Sequence, residues 1–176
     1  MTDRLDLAAA TGGERTLLLG FLAEHRRLLR ETVLRLTDEE ARRRLVPSLT
    51  TPMGLLKHAA FVDTVWFVCR FGGTSRVEAG VPESVDESFL LDPDDTLAGL
   101  AAAHVEASRR ADAVIATLDL DDTCEHPVMG TLSVRWVLTH CVRELAQHTG
   151  HAEILVEQLL AQRLVRRLCP ACRRSE

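Results

Sequence analysis

Between Gly13 and Leu36 the apolar residues Leu17, Leu18, Phe21, Leu22, Leu28, Leu29, Val33, Leu34 and Leu36 recur at helical spacing, with arginine and glutamate between them. This pattern predicts a long amphipathic helix with one buried face. Thr37 stands three residues before Glu40, the spacing of a capping box, so a short helical turn is expected there, ending before Pro47. Thr51 then offers an N-cap hydroxyl ahead of Pro52, whose fixed φ suits the first helical position. The stretch that follows is almost wholly apolar as far as Phe71 and stops at Gly72-Gly73, which predicts a core helix.

Residues 74–92 are rich in Ser, Glu, Gly and Pro and keep no period, so they read as a long loop between the second and third long helices. Helical spacing returns from about Pro93 to Leu118, through Leu97, Leu100, Ala101, Val105, Ala107, Ala111, Val114 and Ile115. Residues 119–130 form a connection with one short extended piece at 125–128, and Ser133 is a plausible cap for a last helix over Val134–Leu164. Four long helices without a strong strand pattern predict an all-α, up-down four-helix bundle. With no internal repeat or break in composition, residues 1–176 are expected to be a single domain, with its core over about 13–164 and a short tail at 165–176.

Composition narrows the function classes. The 176 residues are 46% hydrophobic and 27% charged, enough apolar mass for a real core and too much for disorder. Acidic residues outnumber basic ones, 26 to 21, so no global basic surface exists for a phosphate backbone and nucleic acid is not an expected partner. No leader-like start and no run of about 18 apolar residues is present, so no membrane contact is expected and the cytoplasm is the expected compartment. Five cysteines, Cys69, Cys124, Cys141, Cys169 and Cys172, form no secreted framework and are expected reduced. The Arg42-Arg43-Arg44 run and the tail residues Arg163, Arg166, Arg167, Arg173 and Arg174 read as a solvated face.

The candidate chemistry lies in two histidine settings. His58 sits in Leu55-Leu56-Lys57-His58-Ala59-Ala60-Phe61, where a buried imidazole requires a partner. In the last helix, Glu144, His148 and His151 fall within about 60° of one face at about 100° per residue, so side chains from one helix can converge on one ion. With His58 added from another helix, two nitrogens and one oxygen would leave a coordination position open, as in catalytic rather than structural divalent sites. On spacing alone the plainer reading of the last helix, an exposed Glu-x-x-x-His pair on a solvated face, is the favoured one, since such pairs are common and contribute about 0.2–0.5 kcal/mol. His140, one turn before Glu144, is either a support for it or a plain helix histidine. Trp66, Phe67, Phe71 and Trp136 read as core, His25, His104 and His126 have no identifiable partner, and Cys169-x-x-Cys172 reads as an exposed tail rather than a redox motif.

A resemblance covers about Glu14 to Leu160. The segments Thr51-Pro52-Met53-Gly54-Leu55-Leu56-Lys57-His58, Val65-Trp66-Phe67, Val142-Arg143-Glu144 and Gln147-His148-Thr149-Gly150-His151-Ala152-Glu153 resemble the DinB-like superfamily of four-helix metalloproteins. Within it they are most similar to the actinobacterial branch related to mycothiol-dependent maleylpyruvate isomerase. The resemblance implies a metal triad of His58, Glu144 and His148, with a glutamate where many relatives carry histidine. It also implies a divalent ion, zinc first, with nickel, iron or manganese accommodated by the same donors. The implied activity is thiol chemistry, an S-transfer or isomerisation in which a thiol such as mycothiol or bacillithiol meets a small electrophile, with His151 a candidate base. The alternative is a non-enzymatic metal-binding or small-ligand-binding bundle in stress response or detoxification. A di-iron oxidase fits less well, because it needs repeated Glu-x-x-His pairs. A homodimer through an apolar helix face is compatible with the pattern.

Overall fold

A computed structural model of the chain describes residues 11–168. Helix α1 (Glu14–Val33) turns Leu22, Arg26, Leu29, Thr32 and Val33 inward. The short α2 (Asp38–Ala41) starts with the predicted capping box, the Glu40 carboxylate accepting from Thr37 N and the Thr37 hydroxyl accepting from Glu40 N. Helix α3 (Pro52–Asp63) starts where Thr51 accepts from Gly54 N at 2.9 Å. It runs directly into a π-helical segment, Thr64–Phe71, in which Val65, Trp66, Phe67 and Val68 are buried.

The predicted loop at 74–92 is punctuated by a second capping box, Ser75 with Glu78, that starts α4 (Arg76–Ala79), and by a 3₁₀ turn at Asp86–Phe89. Helix α5 (Leu97–Ile115) follows. The single extended piece expected at 125–128 is instead an antiparallel hairpin, β1 (Thr123–His126) with β2 (Gly130–Ser133), in which His126 faces Gly130. Gly130 closes the turn at φ 73°, a conformation that favours glycine. Helix α6 (Val134–Leu168) is capped by Ser133, which accepts from Trp136 N, and runs four residues beyond the predicted Leu164.

End-to-end contacts give the helix directions. Arg15, at the start of α1, donates to the Ile115 and Leu118 carbonyls at the end of α5. The start of α6 meets the start of α1 through Arg135 and Glu14, and its far end meets the far end of α1 where Arg163 donates to Arg35 O and Glu40. Lys57, early in α3, pairs with Asp92 and Asp95 just before α5, while Arg70 at the end of the π segment reaches Glu125 O in the hairpin. The predicted up-down bundle is therefore up-down-down-up. The long loop is a crossover that returns the chain to the end where α3 began, as bundles with long connections allow.

The core is built on Leu22, Leu29, Met53, Leu55, Leu56, Phe67, Leu138, Leu145 and Leu159. One charged network crosses it. Arg26 donates through Nε and Nη2 to Asp63 Oδ1 at 3.2 and 2.7 Å and through Nη1 to Asp112 at 2.7 Å, while the Ser108 hydroxyl lies 2.9 Å from Asp63 Oδ2. The arginine run is not simply solvated: Arg42 donates to the Asp92, Pro93 and Asp95 carbonyls and Arg44 to those of Pro47 and Ser48. These guanidiniums brace the loops at that end of the bundle. Cys69, Cys124 and Cys141 are free thiols, whereas Cys169, Cys172, Arg173 and Arg174 lie outside the described residues. Among the described residues no helix is long and apolar enough to cross a membrane.

Candidate metal centre

His58 points inward from the second turn of α3 and is 2% exposed. What fixes it comes from the crossover. A Cβ on Gly54 would stand 2.9 Å from Phe89 O, so glycine lets the 3₁₀ turn lie directly on the start of α3. That contact brings Phe89 to stack on the His58 ring at 4.0 Å and 15°, and Ser88 Oγ to 2.7 Å from His58 Nδ1.

Hydrogen-bond bookkeeping then sets the tautomer. The Ser88 hydroxyl donates its one hydrogen to Val85 O, and a carbonyl can only accept. Ser88 Oγ must therefore accept from His58 Nδ1–H, which leaves Nε2 with a lone pair. That nitrogen faces Glu144 Oε1 at 3.0 Å. Two acceptors at this distance require a cation between or on them, a proton on the imidazole or a metal ion.

Glu144 and His148 come from successive turns of α6, and His148 Nε2 lies 3.7 Å from the same Oε1. The His148 Nδ1 is buried without a hydrogen-bond partner. Ligand atoms of His58, Glu144 and His148 all lie within 4.8 Å of one another. A tetrahedral zinc with bonds of about 2.1 Å has donor-to-donor edges of about 3.4 Å, and the separations of 3.0 and 3.7 Å bracket that value. Donor chemistry, spacing and the facing lone pairs all fit a divalent ion. Glu144 and His148 are partly open while His58 is sealed, so the site faces solvent from the α6 side.

The second Glu144 oxygen is held by His140. Arg143 donates to His140 Nδ1 at 3.1 Å, a contact that makes this nitrogen the acceptor, so Nε2–H donates to Glu144 Oε2 at 3.1 Å. Burial pushes the Glu144 carboxyl up, but the facing rings of His140, His148 and His58 outweigh it and hold the group well below the usual carboxylate range. An ionised carboxylate with Oε2 already engaged offers Oε1 to the two ligand histidines.

Two expectations from the sequence change here. His151 is not in the convergent set; its ring stands 5.9 Å from that of His148 on the exposed side. Trp136 is not core but 39% exposed, stacked on His140 at 5.0 Å and 9°. Trp66 and Phe67 are core as expected, and Trp66 also meets His140 edge-on at 5.4 Å. Ser88 and Phe89 carried no signal in the sequence, being 30 and 31 positions from His58.

Two clefts flank the triad along α6. A lower one of about 400 Å³ is lined by Ser133, Arg135, Trp136, Thr139, His140 and Arg143. An upper one of about 320 Å³ lies against Val46, His151, Ile154, Leu155 and Gln158. The sequence model of the family described as Mycothiol-S-transferase matches residues 17–161, which include all three triad residues and both clefts. No curated protein and no solved structure gives a significant match.

Proposed function

This chain belongs to the mycothiol-S-transferase family, within the DinB-like superfamily, and on that premise we propose that it joins a low-molecular-weight thiol to a small electrophile at a divalent metal ion. His58, Glu144 and His148 are the proposed ligands, with zinc the first choice and nickel, iron or manganese compatible with the same donors. The observation that carries the reading is the fixed His58 lone pair aimed at the Glu144 carboxylate beside His148. An ion bound there would supply Lewis acidity, lowering the pKa of a thiol at the position the three ligands leave open.

The chain's own residues supply geometry. Ser88 and Phe89 lock the His58 ring, and His140 occupies Glu144 Oε2, so little reorganisation is needed when a ligand arrives. In the transfer, a bond forms between the thiol sulfur and an electrophilic carbon, the leaving group departs with its bonding pair, and the thiol proton passes to solvent at the open side. His151, exposed beside His148, is the candidate base.

The test is conjugation of mycothiol to a thiol-reactive electrophile by the purified chain, measured after chelation and after re-addition of zinc. Conjugation lost on chelation and restored by zinc is the expected result. Equal rates with and without metal would overturn the metal-dependent reading.

A further inference from the structure

The two clefts differ in chemistry more than in size. The lower one carries the guanidiniums of Arg135 and Arg143 and the indole of Trp136. Arg135 is neutralised by Glu14 and Asp121. Arg143 donates to His140 Nδ1 and has no carboxylate partner among the described residues. The Trp136 ring, 39% exposed and parallel to His140, presents a flat aromatic surface there. The upper cleft is walled by Val46, Ile154 and Leu155, with Ser48, Thr50, Gln158 and His151 as its polar lining and no Asp, Glu, Lys or Arg among the lining residues.

Each cleft reaches the face of α6 that carries the triad. At about 100° per residue, taking Glu144 as zero, His148 falls at about +40°, His151 of the upper cleft at about −20° and His140 of the lower cleft at about −40°, from where the lower cleft turns away through Trp136, Arg143 and Thr139 at about −80°, −100° and −140°. At about 1.5 Å of rise per residue, His140 is about 6 Å below Glu144 along the helix and His151 about 10 Å above it. A molecule in either cleft can therefore extend a reactive atom to the triad without crossing the other.

We propose that the two clefts divide the two substrates of the transfer: the polyhydroxylated part of the thiol lies in the lower cleft, an uncharged apolar electrophile lies in the upper one, and they meet at the triad from opposite directions along α6. The assignment rests on the thiol-transfer reading above. Sugar and cyclitol rings set their C–H faces on an indole and take hydrogen bonds from guanidinium N–H groups. Walls of Val, Ile and Leu without a charged group favour burial of an apolar molecule and disfavour a charged one.

The experiment is steady-state kinetics with mycothiol and 1-chloro-2,4-dinitrobenzene, a reaction in which a C–S bond forms, the C–Cl bond breaks, chloride leaves with the bonding pair and the thiol proton goes to solvent. Thr139→Phe fills the lower cleft from an exposed position whose hydroxyl bonds only within its own helix, at Arg135 O. Ile154→Asp places a charge in the upper cleft at a position 57% exposed, where the fold tolerates it. Metal content is measured on each protein beside the kinetics.

Thr139→Phe is expected to raise KM for mycothiol about tenfold and leave KM for the chlorodinitrobenzene within about twofold, and Ile154→Asp to do the reverse, both with metal content unchanged. Trp136→Ala is expected to follow Thr139→Phe. Equal effects on both KM values, or a crossed pattern, in a metal-replete active enzyme would overturn the division of substrates while leaving the transfer reading intact. A metal-replete wild-type chain that forms no conjugate at all would overturn the transfer reading and the division with it.

Discussion

The bundle holds two buried polar clusters that differ in whether they are complete. In mid-bundle, Arg26 closes on Asp63 and Asp112 and the second Asp63 oxygen meets Ser108. Each charge there faces its opposite. Near the crossover, the Glu144 carboxylate faces a His58 lone pair, and a buried His148 nitrogen has no partner. The charges of the first cluster are paired by the chain alone, whereas those of the second are balanced only when a cation joins it. Buried charge in a bundle is thus not in itself the sign of a site. The sign is a donor set left open on the side that solvent reaches.

The sharpest way to break the contrast is to open the closed cluster. Asp63→Ala leaves the Arg26 guanidinium, 3% exposed, opposed only by the half-exposed Asp112, and is expected to cost about 3–5 kcal/mol in denaturant unfolding. The molecules that remain folded should still take up zinc. Stability equal to wild type would show that this network is not what holds the mid-bundle together.

His104 packs beside the closed cluster, its Nε2 3.9 Å from Asp63 Oδ2. Both its ring nitrogens are buried without a hydrogen-bond partner, and burial, with Arg30 and Arg26 nearby, pushes its pKa down to about 3. The folded chain keeps it neutral while the unfolded chain takes up a proton as pH falls through about 6.5. Its stabilising contribution is therefore fully present above pH 6.5 and is lost as pH falls toward 3, amounting to roughly 3 kcal/mol by pH 4. His104→Leu should flatten the stability-against-pH curve over that window by about one proton. An unchanged slope would mean that another group governs acid lability.

The open cluster is probed through its support. His140→Ala frees Glu144 Oε2 and is expected to weaken zinc binding about 10–100-fold in chelator competition, with unfolding unaffected. His140→Gln keeps an N–H donor and should recover part of that loss. The smallest effect belongs to the surface. Glu40, held down to about 2 by Arg163 against its burial, ties α6 to the α1–α2 corner, and Glu40→Gln is expected to cost about 1 kcal/mol or less. That contribution is present above about pH 4.5 and disappears as pH falls toward 2, so wild type and variant should converge in acid.

Much of this architecture can be read locally. The four long helices follow from three- and four-residue spacing, and their starts from Thr51-Pro52 and Thr37 with Glu40, because period and caps need only neighbours in sequence. The Glu144–His148 pair is legible for the same reason, His58 stands out as an imidazole in an almost wholly apolar helix, and the resemblance joined the three. The capping box of Ser75 with Glu78 was equally present in the sequence but lay inside a segment without period. What spacing does not carry is contact between distant elements. Arg26, Asp63 and Ser108 stand on three helices, and Ser88 reaches His58 only because the crossover folds onto Gly54. Thr64–Phe71 is apolar enough to serve as α- or π-helix alike. Trp136 misleads because α6 carries apolar residues around much of its circumference, so spacing alone does not separate its cleft-lining face from its core face.

Whether the open cluster is a metal site is decided by elemental mass spectrometry of the purified chain beside His58→Ala and His148→Ala. About one divalent ion per wild-type chain is expected, and its loss in both folded variants. Metal retained in both variants, or a folded wild-type chain that holds no metal and takes up neither zinc nor nickel, would contradict a metal site there.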